Sequence, residues 1–125
     1  MMNKAEKRQC VLVVDDHPKV LRFIEIDLKL RGFKVITTTS GEEAMELVKS
    51  AKPDIVLLDI IMPRISGFAV LKELRTFTKL PVIAFSAGPQ NQYEARRLGA
   101  NDFMHKPFYP DDMVRKIKAL LGSKD

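Results

Sequence analysis

Hydrophobic positions along the chain fall into two alternating patterns. Short runs that are apolar at nearly every position, such as CVLVV and IVLL, are typical of strands buried on both faces of a sheet. Between them, apolar residues recur every three or four positions, which predicts amphipathic helices. The predicted strands are Cys10–Val14, Phe33–Thr38, Ile55–Leu58, Pro81–Phe85 and Asp102–Met104. The predicted helices are Pro18–Leu30, Ser40 to about Lys49, Ser66–Arg75, Asn91–Leu98 and Tyr109–Leu121.

Local signals support these boundaries. Gly32 follows the first helix, Ser40 and Glu43 have the spacing of a capping box, and Pro53 breaks the chain after the second helix. Strict alternation of strand and helix, with no linker or repeat, predicts one α/β domain with a parallel sheet and helices on both faces. We place this domain at residues 10–121, after a polar extension (1–9) and before a short tail (122–125).

Composition narrows the class of protein. The chain has 125 residues, enough for one core, and a single cysteine, Cys10, which cannot form an internal disulfide. Its first residues, MMNKAEKRQ, contain no apolar stretch like that of a signal peptide. We therefore expect a cytoplasmic protein. Lys and Arg outnumber Asp and Glu by 21 to 16, but they are scattered and lack a reading motif, so direct binding of nucleic acid is not expected.

Polar residues follow four of the five predicted strands. Asp15 and Asp16 follow the first strand, Asp59 the third, Ser86 the fourth and Lys106 the fifth. Each has a simple structural explanation; the acid pair, for example, could cap the helix that starts with proline. However, the carboxyl ends of parallel strands meet at one edge of the sheet, where such folds bind ligands. The five side chains together therefore predict a functional site there.

Three clustered carboxylates repel one another and require a cation. Oxygen ligands in an incomplete protein set suit Mg²⁺, which also accepts phosphoryl oxygens. A carboxylate in such a site can act as a nucleophile and form an acyl phosphate. Lys106 would then offer a positive charge to one phosphoryl oxygen, and Ser86 a hydroxyl to another.

Four segments carry a family resemblance: VLVVDD, IVLLDIIMPRISG, VIAFSA and GANDFMHKPF. In this order and spacing they resemble the signatures of response-regulator receiver domains of two-component systems, over about residues 10–121. The resemblance implies a flavodoxin-like sheet of order 2-1-3-4-5. It also implies that Asp59 accepts a phosphoryl group from a histidine kinase or phosphotransfer protein. Asp16, Asp59 and the backbone carbonyl of Ile61 would bind Mg²⁺, and Asp15 would act mainly through water.

The resemblance also implies a switch. Ser86 would move toward the phosphoryl group as the aromatic residue Phe103 turns inward, which would remodel helix 4, strand 5 and helix 5. Phe103 stands where many members have tyrosine, so it lacks the hydroxyl. A cis peptide bond is implied between Lys106 and Pro107. The only expected catalysis is the domain's own phosphorylation and dephosphorylation.

The predicted output face is rich in basic residues. They are Arg96 and Arg97 on helix 4, and Lys116 and Lys118 on helix 5. A symmetric dimer through this face would bring like charges together. We therefore expect a monomer or a weak dimer, with the face available to an acidic protein.

Three alternatives use the same topology. A flavodoxin-like FMN module would need a Ser-, Thr- or Gly-rich phosphate loop where this chain has DDHPKV. A Mg²⁺-dependent phosphatase of the haloacid-dehalogenase kind would carry spaced acids and its nucleophile after strand one. A degenerate receiver, or the receiver of a hybrid kinase acting only as a binding module, would not need all of the reactive residues, whereas this chain has every one of them.

Overall fold

The computed structural model describes residues 8–122, in which five strands and five helices alternate. The strands are β1 (Cys10–Val14), β2 (Lys34–Thr38), β3 (Ile55–Asp59), β4 (Val82–Ser86) and β5 (Asp102–His105). The helices are α1 (Pro18–Leu30), α2 (Gly41–Ala51), α3 (Gly67–Leu74), α4 (Asn91–Arg97) and α5 (Pro110–Leu121). Most of the predicted extension and tail, residues 1–7 and 123–125, lies outside the described residues.

All strand pairs are parallel, and the sheet order is β2-β1-β3-β4-β5, as the resemblance implies. Because successive side chains of a strand point to opposite faces, each central strand contributes to two cores. In β1, Leu12 and Val14 pack with α2, α3 and α4, whereas Val11 and Val13 pack with α1 and α5. The predicted doubly wound α/β fold is therefore confirmed.

The helices bury the faces that their sequence patterns predict. In α1 the buried residues are Leu21, Ile24 and Leu28, spaced by three and four positions. At 13 residues α1 is the longest described helix. None of the helices within residues 8–122 combines the length and the apolar character that a membrane crossing requires.

The capping box predicted at α2 is only half formed. The Ser40 hydroxyl accepts a hydrogen bond of 3.1 Å from the Glu43 amide, as predicted. The Glu43 carboxylate, however, accepts from the hydroxyl of Thr38. The Ser40 amide donates instead to Thr38 Oγ1, at 3.1 Å. The buried threonine at the end of β2 thus takes the position between the two partners of the box.

Three strands extend one residue beyond their predicted ends, and the three extra residues, Asp59, Ser86 and His105, are polar. Asp59 is the last residue of β3, aligned with Phe85, and Ser86 is the last residue of β4, aligned with His105. Both candidate residues therefore belong to the sheet itself rather than to the loops that follow. Ordered strand ends hold functional side chains more rigidly than loops do.

Candidate functional site

Three predicted site residues are in direct contact at the carboxyl edge of the sheet. The ammonium Nζ of Lys106 lies 3.0 Å from Asp15 Oδ2 and 3.4 Å from Asp59 Oδ2. The side chains of Asp15 and Asp59 are buried, while that of Lys106 is 20% exposed. The predicted convergence of strand ends β1, β3 and β5 is therefore observed.

Close packing beneath the site fixes the backbone of Asp59. The amide of Gly67, the first residue of α3, donates a 2.8 Å hydrogen bond to the carbonyl of Ile60. A Cβ at Gly67 would lie 2.2 Å from the carbonyl oxygen of Asp59. Only glycine lets α3 begin so close to β3.

On the other side of the site, the Lys106 amide donates a hydrogen bond to the Ser86 carbonyl at 2.9 Å. The Lys106–Pro107 peptide bond is cis, as implied.

Burial and charge set the ionisation of Asp59. Removal from water, reinforced by the negative charge of Asp15, raises the pKa of Asp59 to about 6. The Lys106 ammonium and a hydrogen bond from the Ile61 amide, 3.3 Å from Asp59 Oδ1, act in the opposite direction on this pKa. Asp59 is therefore predominantly ionised at neutral pH, and its desolvated oxygen is a better nucleophile than that of a hydrated carboxylate.

Asp16 supplies a carboxylate oxygen without a hydrogen bond. Among residues 8–122, its Oδ1 is the only buried side-chain N or O atom without a hydrogen-bond partner. Such atoms are uncommon and point to an absent ion or water. Asp15, Asp16, His17 and Asp59 each offer one ligand atom, all within 4.8 Å of one another. These oxygen-rich ligands fit a hard divalent cation such as Mg²⁺.

The alternative role of the acid pair, capping α1, is not observed. The N-cap of α1 is His17, whose side chain makes no capping hydrogen bond. Asp15 Oδ1 accepts hydrogen bonds from the amide (2.9 Å) and the Nδ1 atom (2.8 Å) of His17, which precedes the helix. The hydrogen bond between the His17 ring and Asp15, and then the negative charges of both aspartates, raise the pKa of His17.

The two predicted switch residues, Ser86 and Phe103, lie on the last two strands, β4 and β5. The fully buried Ser86 hydroxyl accepts hydrogen bonds from Asn91 Nδ2 at 2.8 Å and from the Gly88 amide at 3.1 Å. Phe103 is 4% exposed, and its ring meets that of His105 edge-on, with centroids 5.2 Å apart. The structure thus combines an inward aromatic ring with a serine held by the start of α4.

The basic residues of the predicted output face are largely paired within the chain. Arg96 contacts Asp102 at 3.0 Å, and Lys116 contacts the same carboxylate at 3.3 Å. Arg97 contacts Glu94 at 2.6 Å. The acids on this face therefore offset more of its positive charge than the sequence pattern alone indicates.

Two residues at the site were not predicted from sequence. His17 follows the acid pair directly, and this adjacency of imidazole and carboxylates is a signal that could have identified it. Asn91 carried no comparable signal, since a polar residue at a helix start is ordinary. Its contact with Ser86 depends on the path of the intervening loop.

Sequence comparison identifies relatives across most of the chain. The family model "Response regulator receiver domain" matches residues 11–118. The transcriptional regulatory protein KdpE of Mycobacterium tuberculosis is 39% identical over 111 residues, covering 87% of this chain and 49% of KdpE. The probable transcriptional regulator ycf27 of Guillardia theta is 36% identical over 118 residues, covering 93% of this chain and 46% of that protein. The chain thus spans about half the length of the curated relatives it matches.

Solved structures agree with the sequence comparison. The receiver domain of the Francisella response regulator 1452 matches with a TM-score of 0.87 and 30% identity, covering 92% of this chain and 98% of that one. The BeF3-activated N-terminal receiver domain of Klebsiella pneumoniae RstA has a TM-score of 0.87 and 26% identity, covering 92% and 100%. Together with the family match and the site geometry, these similarities show that the chain belongs to the response regulator receiver domains.

Proposed function

We propose that this domain is a phosphorylation-operated signalling switch in which Asp59 accepts a phosphoryl group from a phosphohistidine. The donor would be a histidine kinase or a phosphotransfer protein. The observation that carries the proposal is the position of the Lys106 ammonium, within 3.4 Å of both buried carboxylates, Asp15 and Asp59. A cation held against a buried, ionised nucleophile is the arrangement that transfer of an anionic group requires.

The transfer is a substitution at phosphorus. An oxygen of the Asp59 carboxylate forms the new O–P bond while the P–N bond of the phosphoimidazole breaks. The imidazole nitrogen leaves with the electron pair and is neutralised by a proton from solvent. Lys106 balances charge on one phosphoryl oxygen, and the Ser86 hydroxyl donates to another.

The acidic cluster would hold Mg²⁺. Asp16 and Asp59 would bind through carboxylate oxygens, Ile61 through its backbone carbonyl and Asp15 mainly through water. The buried Oδ1 of Asp16, which has no hydrogen bond, supports this assignment. When bound, Mg²⁺ offsets the repulsion between the carboxylates and the incoming phosphoryl oxygens.

The response would spread through Ser86 and Phe103 to α4, β5 and α5. The Ser86 hydroxyl would leave its partners at the start of α4 and turn to the phosphoryl group. The Phe103 ring is already buried in this structure, so the movement of Ser86 would need no inward turn of this ring, which has no hydroxyl to bond outside. The output would be carried by a linked segment or by a separate acidic protein, and this domain itself would contact neither DNA nor a membrane. We place the protein in the cytoplasm, as a monomer or a weak dimer.

Phosphorylation can be tested directly. The protein is incubated with acetyl phosphate and Mg²⁺, and the adduct is located by mass spectrometry. Label should appear on Asp59 and be absent from Asp59→Asn. Asp54→Asn, at the opposite end of β3, is the matched control and should label normally. Label that persists on Asp59→Asn would exclude Asp59 as the acceptor.

A further inference from the structure

The imidazole of His17 lies among the carboxylates of the acidic cluster. Its Nδ1 atom is 2.8 Å from Asp15 Oδ1 and 3.2 Å from Asp16 Oδ1. The second distance joins a nitrogen to the one buried oxygen that has no hydrogen bond in the described part of the chain. His17 therefore adds a nitrogen atom to the group of carboxylate oxygens, all within 4.8 Å of one another.

The spacing of these three atoms suits a shared cation. In an octahedral site with metal–ligand bonds of about 2.0–2.2 Å, neighbouring ligand atoms are separated by about 3 Å. The Nδ1 atom already has this separation from each of the two Oδ1 atoms, at 2.8 and 3.2 Å. A cation bound by Nδ1 and by Asp16 Oδ1 would replace the hydrogen bond between His17 and Asp15, and Asp15 would then act through water.

The backbone holds the ring in reach of the cluster. His17 is extended (φ −100°, ψ 106°) and is followed by Pro18, which starts α1. Its amide is bonded to Asp15 Oδ1 at 2.9 Å, so the residue is fixed relative to the first carboxylate. The ring itself is 59% exposed and can adjust to an incoming ion.

We propose that His17 Nδ1 is a nitrogen ligand for first-row transition metal ions that bind at this cluster. Imidazole favours first-row transition metal ions, whereas carboxylates, carbonyls and water suit Mg²⁺. His17 therefore biases the site toward ions such as Co²⁺ or Zn²⁺ relative to an all-oxygen site. This inference rests on the proposed metal site, but not on phosphorylation of Asp59.

Calorimetric titration of tag-free protein with Co²⁺ and with Mg²⁺, without a phosphoryl donor, tests the proposal. In His17→Ala the affinity for Co²⁺ should fall about tenfold or more, since even residues that only support a ligand contribute that much. The affinity for Mg²⁺ should change little. His17→Gln, which keeps a hydrogen-bond donor, should behave like His17→Ala. His105→Ala removes the only other histidine and should bind both ions normally.

Proton NMR of the Co²⁺ form gives a second readout. A strongly shifted ring N–H signal, typical of a ligand imidazole, should appear and be absent in His17→Ala, while the ring of His105 should show only smaller through-space shifts. If Mg²⁺ binds and His17→Ala weakens both ions equally, or neither, His17 is not a ligand and the phosphorylation proposal stands. If neither ion binds to the unaltered protein, both the ligand role and the metal-dependent mechanism are wrong.

Discussion

The side-chain amide of Asn91 donates a 2.8 Å hydrogen bond to the hydroxyl of Ser86. Because Asn91 is the first residue of α4, this bond joins the end of β4 to the helix that the proposed switch would move. The Gly88 amide adds a second bond to the same oxygen, at 3.1 Å. Movement of the hydroxyl toward a phosphoryl group would break both contacts.

The first prediction is that Asn91→Ala favours the activated state. A net hydrogen bond contributes about 0.5–1.5 kcal/mol, so removing one from the resting state should raise the affinity for beryllofluoride about two- to tenfold. The measurement is a beryllofluoride titration in Mg²⁺, followed by NMR. Gln92→Ala, on the same short helix, is the control. An unchanged or weaker affinity in Asn91→Ala would mean that the bond does not restrain Ser86.

The second prediction concerns metal-free stability and pH. Because folding raises the pKa of Asp59 from 3.8 to about 6, the folded state holds this proton more tightly than the unfolded state. The contribution of Asp59 to stability therefore decreases as pH rises from about 4 to about 6 and is constant above that range. A shift of about two pKa units corresponds to about 3 kcal/mol.

Replacing Asp59 removes that penalty. In EDTA, Asp59→Asn should raise the free energy of unfolding by roughly 2–3 kcal/mol at pH 7.5 and by little at pH 4. Urea denaturation at both pH values measures the difference. Asp54→Asn, which alters an exposed acid immediately before the same strand, should show no such dependence. A gain of equal size at both pH values would contradict an elevated pKa.

The third prediction concerns the lifetime of the acyl phosphate. In receiver domains, the residues two positions beyond the phosphorylated aspartate and two beyond the serine flank the path of the hydrolytic water. Here they are Ile61, 58% exposed, and Gly88, neither of which has a side chain able to bond that water. Ile61→Asn should therefore shorten the half-life severalfold, measured by loss of label, while Ile61→Val should not. A longer half-life in Ile61→Asn would reverse the assignment.

The structure adds a carboxamide that the sequence spacing does not reveal. A Cβ at Gly88 would lie 2.9 Å from the Nε2 atom of Gln90, so the Gln90 side chain fills the space beside that glycine. A double variant that combines Ile61→Asn with Gln90→Ala distinguishes the effect of the introduced carboxamide from that of Gln90. The shortened half-life of Ile61→Asn should persist in it if the new amide acts independently.

The fold could be predicted because the sequence pattern shows which positions are buried, both in the strands and in the helices. The continuous apolar runs of β1 and β3 can be buried on both sides only at the centre of a parallel sheet that is covered on both faces. The apolar residues of α1, spaced by three and four positions, indicate which face of that helix packs on the sheet. The rule that strand ends share an edge then brings Asp15, Asp59 and Lys106 together. These contacts follow from topology, so they were predictable.

Contacts made by side-chain rotation were not predictable in this way. Thr38 takes the Glu43 carboxylate from the capping box, and Asn91 reaches Ser86, only because of the conformation of adjoining loops. The direction of the His17 ring depends likewise on the extended backbone before Pro18. Periodicity and spacing carry no information on these rotamers.

The last prediction is that activation does not produce a tight dimer through α4, β5 and α5. Three bases on this face, Arg96, Arg97 and Lys116, are paired with two acids, Glu94 and Asp102, of the same chain. A two-fold interface would exchange these pairs for equivalent ones, and exposed ion pairs contribute only about 0–1 kcal/mol each. Lys118, the fourth base of this face, brings the excess over the two acids to two bases, which would face their own copies at the same time. Sedimentation with beryllofluoride should therefore give a monomer at low and high salt, for both the unaltered protein and Arg97→Glu. An activated dimer that persists at low salt and is dissociated by Arg97→Glu would show that the exchange of ion pairs between chains is favourable.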